Sequence, residues 1–219
     1  MHQPLRLKKV QCPIGSSDQF SKLGIDLAYT DNTDTINGSA FGDVIDAKSG
    51  SDYISSGNGS DNITSGKADD IVFAGNGDDT LNGLLGSNIY NGSNGIDVVR
   101  IDTILSQDST LENLGNNKFR LSVKSDTAVL TSIERIIFKD KNIAIDIEGN
   151  AGKVIKLLGA LVGKDAAKNA EYIGAGLNAL DNGLSYETLM ESAIEVVFGS
   201  NSSGASVVGV MYKNLVGSS

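Results

Sequence analysis

Eight residues recur at nine-residue intervals without a slip: Asp34, Asp43, Asp52, Asp61, Asp70, Asp79, Asn88 and Asp97. Two places after each stands an apolar side chain, namely Ile36, Ile45, Ile54, Ile63, Val72, Leu81, Tyr90 and Val99. Two places before five of them stands glycine (Gly50, Gly59, Gly77, Gly86, Gly95). Two residue classes in one register demand a repeat architecture, because one unit can bury its apolar residue only against its neighbours. About six residues rich in Gly, Asn and Asp supply a tight turn with positive φ. About three extended residues follow, the middle one facing inward. Two nine-residue units make one coil of 18 residues. Stacked coils then pair their short strands in two parallel sheets whose apolar columns meet in a thin core.

Such a stack is hard to hold together unaided. The chain of 219 residues carries a net charge of −9. Residues 29–100 hold −8 of it, with 11 Asp, no Glu, three basic residues (Lys48, Lys67, Arg100), 12 glycines and no proline. Self-repulsion and glycine entropy both oppose compaction, and one apolar residue in nine is little core. Alternate units lie on the same side, so Asp43, Asp61, Asp79 and Asp97 form one column, and Asp34, Asp52, Asp70 and Asn88 the other. Carboxylates stacked at the roughly 4.8 Å spacing of paired strands repel unless a hard divalent cation lies between them. Calcium takes six to eight oxygens at about 2.3–2.6 Å, main-chain carbonyls of irregular loops included. Magnesium demands tighter geometry, and transition metals prefer the nitrogen and sulfur ligands this window lacks. The spacing therefore points to Ca²⁺ between coils, held by Asp43, Asp61, Asp79 and Asp97 with the loops of Gly59, Gly77 and Gly95. The gap between Asp52 and Asp70 ranks next, and sites using Asn88 last. A metal-free alternative stays open, in which Asp and Asn only satisfy turn amides. It leaves unexplained why seven of the eight positions carry a charge.

The units Ser56-Gly57-Asn58-Gly59-Ser60-Asp61-Asn62-Ile63-Thr64 and Ala74-Gly75-Asn76-Gly77-Asp78-Asp79-Thr80-Leu81-Asn82 resemble the repeat-in-toxin, or hemolysin-type calcium-binding, nonapeptide G-G-x-G-x-D-x-U-x. Departures are local. Lys48 and Lys67 stand in turns, Phe41 and Ala68 replace the inner glycine, and Leu84 and Leu85 interrupt another turn. The resemblance implies a secreted bacterial protein that passes unfolded through a type I secretion channel by an uncleaved C-terminal signal and folds on calcium outside the cell. No signal peptide is read at the N-terminus, and the small hydroxylated tail 216–219 fits such a route.

Composition removes other functions. One His (His2) and one Cys (Cys12) exclude internal disulfides and most zinc sites, catalytic triads and proton shuttles. The acidic balance argues against nucleic acid, and no apolar run is long enough to span a membrane. The pairs Asp69-Asp70 and Asp78-Asp79 fit a carboxylate-metal nuclease poorly, because both fall in the repeat register with no base beside them.

Beyond the repeats the period changes. Phe119, Leu121 and Val123, then Ile143, Ile145 and Ile147, alternate with polar residues, and Ile133, Ile136, Ile137 and Phe138 are a denser run. These strands are expected to extend and close the roll, since a solenoid end exposes strand edges and core. The segment Leu130-Thr131-Ser132-Ile133-Glu134-Arg135-Ile136-Ile137-Phe138 is similar to a stretch that follows such repeats, and Glu134 and Arg135 are expected to form a solvated or cross-strand ion pair. From 149 the period is 3.6: Val154, Leu157, Leu158 and Leu161 share one face, Ile173, Leu177 and Leu180 a second, Tyr186, Leu189, Met190, Ala193, Ile194 and Val197 a third, and Val207, Val208, Met211 and Leu215 a fourth. Gly163, Gly183 and Gly199 are the expected stops, and Asp165 and Ser185 the expected starts. The opening 146–152 and the turn 180–186 resemble a helical domain of unknown function at the C-terminus of exported repeat proteins. The expected α+β chain thus has an extension (1–28), a parallel β-roll (29–100), a strand cap (101–148) and a helical bundle (149–219). The expected function is a non-catalytic, calcium-binding export and folding module, with the type I secretion machinery as partner and a cell-surface polysaccharide or protein as a further candidate. Alternatives are the tail of a larger secreted protease, lipase or epimerase, and an adhesin or surface-layer component.

Overall fold

A computed structural model describes residues 26–28, 30–163, 165 and 168–216. The expectations attached to His2, Cys12, residues 1–25 and the tail residues 217–219 lie outside them. Short strands alternate between two sheets: β1 (Asp26–Ala28), β2 (Thr35–Asn37), β3 (Val44–Asp46), β4 (Tyr53–Asn58), β5 (Asn62–Thr64), β6 (Ile71–Asn76), β7 (Thr80–Asn82), β8 (Ser87–Asn94) and β9 (Val98–Ile101). Odd strands pair in parallel in one sheet and even strands in the other. The repeat fixes the register, with Ile45 opposite Ile63, Ile63 opposite Leu81 and Leu81 opposite Val99. On the other side Ile36, Ile54, Val72 and Tyr90 line up in the same way. All eight of these side chains are buried in one cluster, as the inward-facing middle position of each strand requires.

Tyr90 is the bulky member of its column. It is accommodated because its hydroxyl finds polar partners inside the roll, bonding Ser65 Oγ at 2.7 Å and donating to the Gly83 carbonyl at 3.1 Å. Leu84, in the turn it interrupts, joins the same core.

The roll is extended rather than merely covered. Strands β10 (Ser109–Gly115), β11 (Lys118–Val123) and β12 (Asp126–Thr131) form an antiparallel meander, and β12 adds to the even sheet parallel to β8. Strand β13 (Arg135–Phe138) adds to the odd sheet parallel to β9, and β14 (Asn142–Ala144) closes it by an antiparallel pairing. Phe119, Leu121, Leu130, Ile133 and Ile136 continue the repeat core into this cap.

Four helices follow: α1 (Asn150–Val162), α2 (Ala170–Asp181), α3 (Tyr186–Phe198) and α4 (Gly204–Val216). Gly163 and Gly199 end α1 and α3 at φ of 95° and 83°. Ser185 caps α3, its hydroxyl accepting the Thr188 N–H at 3.1 Å. The expected start at Asp165 is corrected: α2 begins at Ala170, and Asn169 Oδ1 accepts the Tyr172 N–H. Helix α1 is the hub, with Val154, Leu157, Leu158 and Leu161 buried, whereas no described residue of α3 is fully buried and Val196 is 79% exposed. No described helix is long and apolar enough to cross a membrane.

Candidate metal centre

The acidic positions sit at the end of each turn, one residue before the strand, and the strand carries them inside the coil. Asp43, Asp52, Asp61, Asp70, Asp79, Asn88 and Asp97 are all buried. Each column is a hydrogen-bonded ladder. The main-chain N–H of Asp43, Asp61 and Asp79 donates to Oδ1 of the acid one coil further on, those of Asp34 and Asp52 do the same, and that of Asp70 donates to the amide oxygen of Asn88, all at 2.7–3.0 Å. One carboxylate oxygen is thereby used. The other, Oδ2, is buried with no hydrogen-bond partner in Asp52, Asp61, Asp70, Asp79 and Asp97. The Ser56 and Ser65 hydroxyls lie close enough to Asp61 and Asp70 to hold those carboxyls down somewhat, but their hydrogen bonds go to the Ala74 carbonyl, at 2.5 Å, and to Tyr90, at 2.7 Å. Leaving a buried charged oxygen unpaired is expensive, so five in register indicate that the fold keeps a place for a positive partner.

The electrostatics agree. Burial pushes the Asp79 and Asp97 carboxyls up to about 7 and that of Asp70 to about 6. The main-chain N–H bonds partly offset this, and the neighbouring carboxylates in the column push further up. Asp52 and Asp61 are raised for the same first reason.

The turns present main-chain oxygen. Gly77 has φ of 127°, and a Cβ there would run into the Gly59 carbonyl; Gly95, at φ of 139°, stands likewise against the Gly77 carbonyl. Only glycine lets successive turns approach so closely. The roll imposes this shape even where glycine is missing, holding Lys48, Ala68 and Ser93 at φ of 74°, 77° and 75°. Such a conformation costs roughly 1–2 kcal/mol per residue. The turns before Asp34 and Asp43 are exceptions, with no residue from 30 to 33 at positive φ. No residue from 38 to 42 adopts positive φ, and Ser39 gives Asp43 local partners, its N–H to Oδ2 at 2.6 Å and its hydroxyl to Oδ1 at 2.9 Å. Asp34 likewise bonds the Thr30 N–H and hydroxyl at 2.9 Å.

The structure therefore brings Asp61, Asp79 and Asp97 with Gly59, Gly77 and Gly95 into one oxygen-lined column, and Asp52 and Asp70 into the other; Asp43 lies at the base of the first. Among the described residues no three His, Cys, Asp or Glu side chains converge on a metal-sized point. A cation here must take most of its ligands from main-chain carbonyls, which suits a hard ion of high coordination number. The paired acids do not converge for hydrolysis either. Asp69 and Asp78 are exposed and accept the N–H groups of Ser87 and Ile96 at 2.8 Å, while Asp70 and Asp79 point into the columns.

Two residues read differently from the sequence expectation. Glu134 and Arg135 do not pair with each other through their side chains. Glu134 Oε2 accepts the Asp97 N–H at 2.8 Å, the bond each repeat acid makes to its predecessor. Arg135 turns the other way and binds Asp146 at 2.6 Å and Asp181 at 2.6 and 2.7 Å, tying the cap to the ends of α1 and α2. The signal for Glu134 was present: Glu134 and Ile136 repeat the acid, any residue, apolar pattern. The 37-residue step from Asp97 hid it.

Residues 29–63 and 64–99 match the family model of the RTX calcium-binding nonapeptide repeat, which comprises four copies. No curated protein matches the chain.

Proposed function

With residues 29–99 belonging to the RTX calcium-binding nonapeptide repeat family, we propose that this chain is a secreted, non-catalytic calcium module whose roll becomes stable only when Ca²⁺ fills the gaps between its coils. The observation that carries the reading is the set of five buried carboxylate oxygens, from Asp52, Asp61, Asp70, Asp79 and Asp97, with no hydrogen-bond partner. Asp61, Asp79 and Asp97 would hold calcium on one side with carbonyls of the loops at Gly59, Gly77 and Gly95, with Asp43 at the base of that column. Asp52 and Asp70 would hold it on the other. The bound ion supplies positive charge and replaces the water these oxygens lose.

A ligand that binds only the folded state contributes about 1.4 kcal/mol per site at ten times its Kd. Extracellular-type calcium sites bind at roughly 10⁻⁴–10⁻³ M. Inside a cell each contribution vanishes and the acidic stretch stays loose enough to be threaded. Outside, several gaps add their contributions together. This supports export as an unfolded chain through a type I secretion channel, with the roll setting as it emerges. The test is circular dichroism of the chain during a calcium titration at neutral pH, with magnesium as control. A cooperative gain of β signal near the extracellular calcium range is expected. A roll fully ordered in chelator at neutral pH, and indifferent to added calcium, would refute the proposal.

A further inference from the structure

The repeat does not end where its sequence pattern ends. Strand β13 pairs with β9 in the register that joins earlier coils, Arg135 opposite Val98 and Ile136 opposite Val99. The Arg135 N–H donates to the Asp97 carbonyl at 3.0 Å, as the Val98 N–H does to Asp79 and the Thr80 N–H to Asp61. Glu134 thus stands in the acid position of one more coil and Ile136 in its apolar position. A hairpin built from β10 and β11 has been inserted between that coil and the last repeat.

The turn geometry makes the same point. At the first coil, a Cβ on Gly38 would collide with the Ser56 carbonyl oxygen and with Asp43 Oδ2. At the last, a Cβ on Gly92 would collide with the Ser132 carbonyl oxygen and with Asp97 Oδ2. Ser132 therefore occupies in the cap the place Ser56 occupies in the repeats. Asp97, 0% exposed, aims its unpartnered Oδ2 at the point where this next-coil carbonyl arrives. Glu134 also lines an open cleft of about 570 Å³ with Gly95, Ile96, Phe119 and Glu148, so the junction is reachable from solvent. The other column has no such continuation. Ala128 stands opposite Asn88, and neither brings a carboxylate.

We propose that Asp97 and Glu134, with main-chain carbonyls of the 92–95 turn and of Ser132, form a calcium site that seals the last repeat coil to the cap. This site straddles the end of the nonapeptide array, taking Asp97 from the last repeat and Glu134 and Ser132 from beyond it, and the inference rests on the calcium-binding reading of the roll. It makes the two columns unequal, one ending on an acid and the other on an alanine.

The test counts ions. Calcium bound per chain is measured by isothermal titration for the full chain and for Glu134→Gln, which keeps an oxygen to accept the Asp97 N–H. The variant is expected to bind one ion fewer than the parent, with Glu134→Asp retaining the parent's number at weaker affinity. An unchanged count in Glu134→Gln overturns the proposal. A parent chain that binds no calcium overturns instead the reading on which it rests. Should Glu134→Gln fail to fold, crystals of the parent grown in calcium decide the matter by anomalous scattering. A peak between the Asp97 and Glu134 carboxylates is expected, and an ion-free junction beside filled repeat gaps sinks the site.

Discussion

Protonation and calcium should be interchangeable as stabilisers of this roll, because both answer the same buried oxygens. Between the ordinary carboxyl value of 3.8 and about 7, Asp79 and Asp97 hold protons in the folded state that they would release on unfolding. The folded chain binds more protons than the unfolded one in that window, so the stability of the calcium-free chain falls as pH rises through it. A shift of about 3 pH units corresponds to about 4 kcal/mol for either group alone. The two are neighbours in one column and titrate as a coupled pair, so their contributions do not simply add. Asp70, raised to about 6, works in the same direction over a narrower range. For a chain of this size about 4 kcal/mol moves the melting temperature by on the order of 10 °C. The assay is thermal unfolding followed by far-ultraviolet circular dichroism in calcium-free buffer, from about pH 4 to about pH 7.5. The melting temperature should fall across that range, and saturating calcium should abolish the fall by favouring the ionised carboxylates. A calcium-free melting temperature that stays level or climbs between those limits defeats the reasoning.

Three further outcomes are expected. Asp79→Asn keeps an oxygen for the Asp61 N–H and removes a buried charge, so at neutral pH it should stabilise the calcium-free roll by a few kcal/mol while weakening calcium binding, measured by melting and by titration. Gly77→Ala forces a Cβ against the Gly59 carbonyl at a φ of 127°, and should lower stability in saturating calcium by about 1–3 kcal/mol or more, read from denaturant unfolding. Arg135→Ala strands Asp146, which is almost fully buried, and frees Asp181, so roughly 3–5 kcal/mol should be lost from the docking of the helices, seen as a separate, earlier helical transition in calorimetry.

The architecture was legible in the sequence wherever a local rule governed it. Period nine fixes which residues stack, so both columns and the eight stacked apolar positions from Ile36 to Val99 follow from spacing alone, whereas the burial of Leu84 does not. The helix stops at Gly163 and Gly199 follow from the same kind of local reasoning. Legibility failed where distant parts of the chain meet. Spacing could not show that Oδ1 of Asp52, Asp61, Asp70, Asp79 and Asp97 would be consumed by a main-chain N–H and only Oδ2 left over. Nor could it show that Ser39 would supply partners for Asp43, because that turn departs from the positive-φ shape that the turn of Ala68 keeps without its inner glycine. The inserted hairpin broke the register that would have revealed Glu134, and the ion pairs of Arg135 span up to 46 residues. The start of α2 is not fixed by sequence because Asp165 and Asn169 are both competent cap residues, and it is Asn169 whose side chain accepts the Tyr172 N–H.

The side-chain ladder has a direction. Each acid of this column leans its amide on the coil that comes later in the chain, Asp43 on Asp61, Asp61 on Asp79, Asp79 on Asp97 and Asp97 on Glu134. Shortening the chain from its N-terminal end leaves each surviving amide its acceptor. Shortening it from the far end removes the anchor and strips them in sequence. The stack is therefore vectorial, like a zip whose slider sits at the cap, and setting is expected to begin there and run backward toward Thr35.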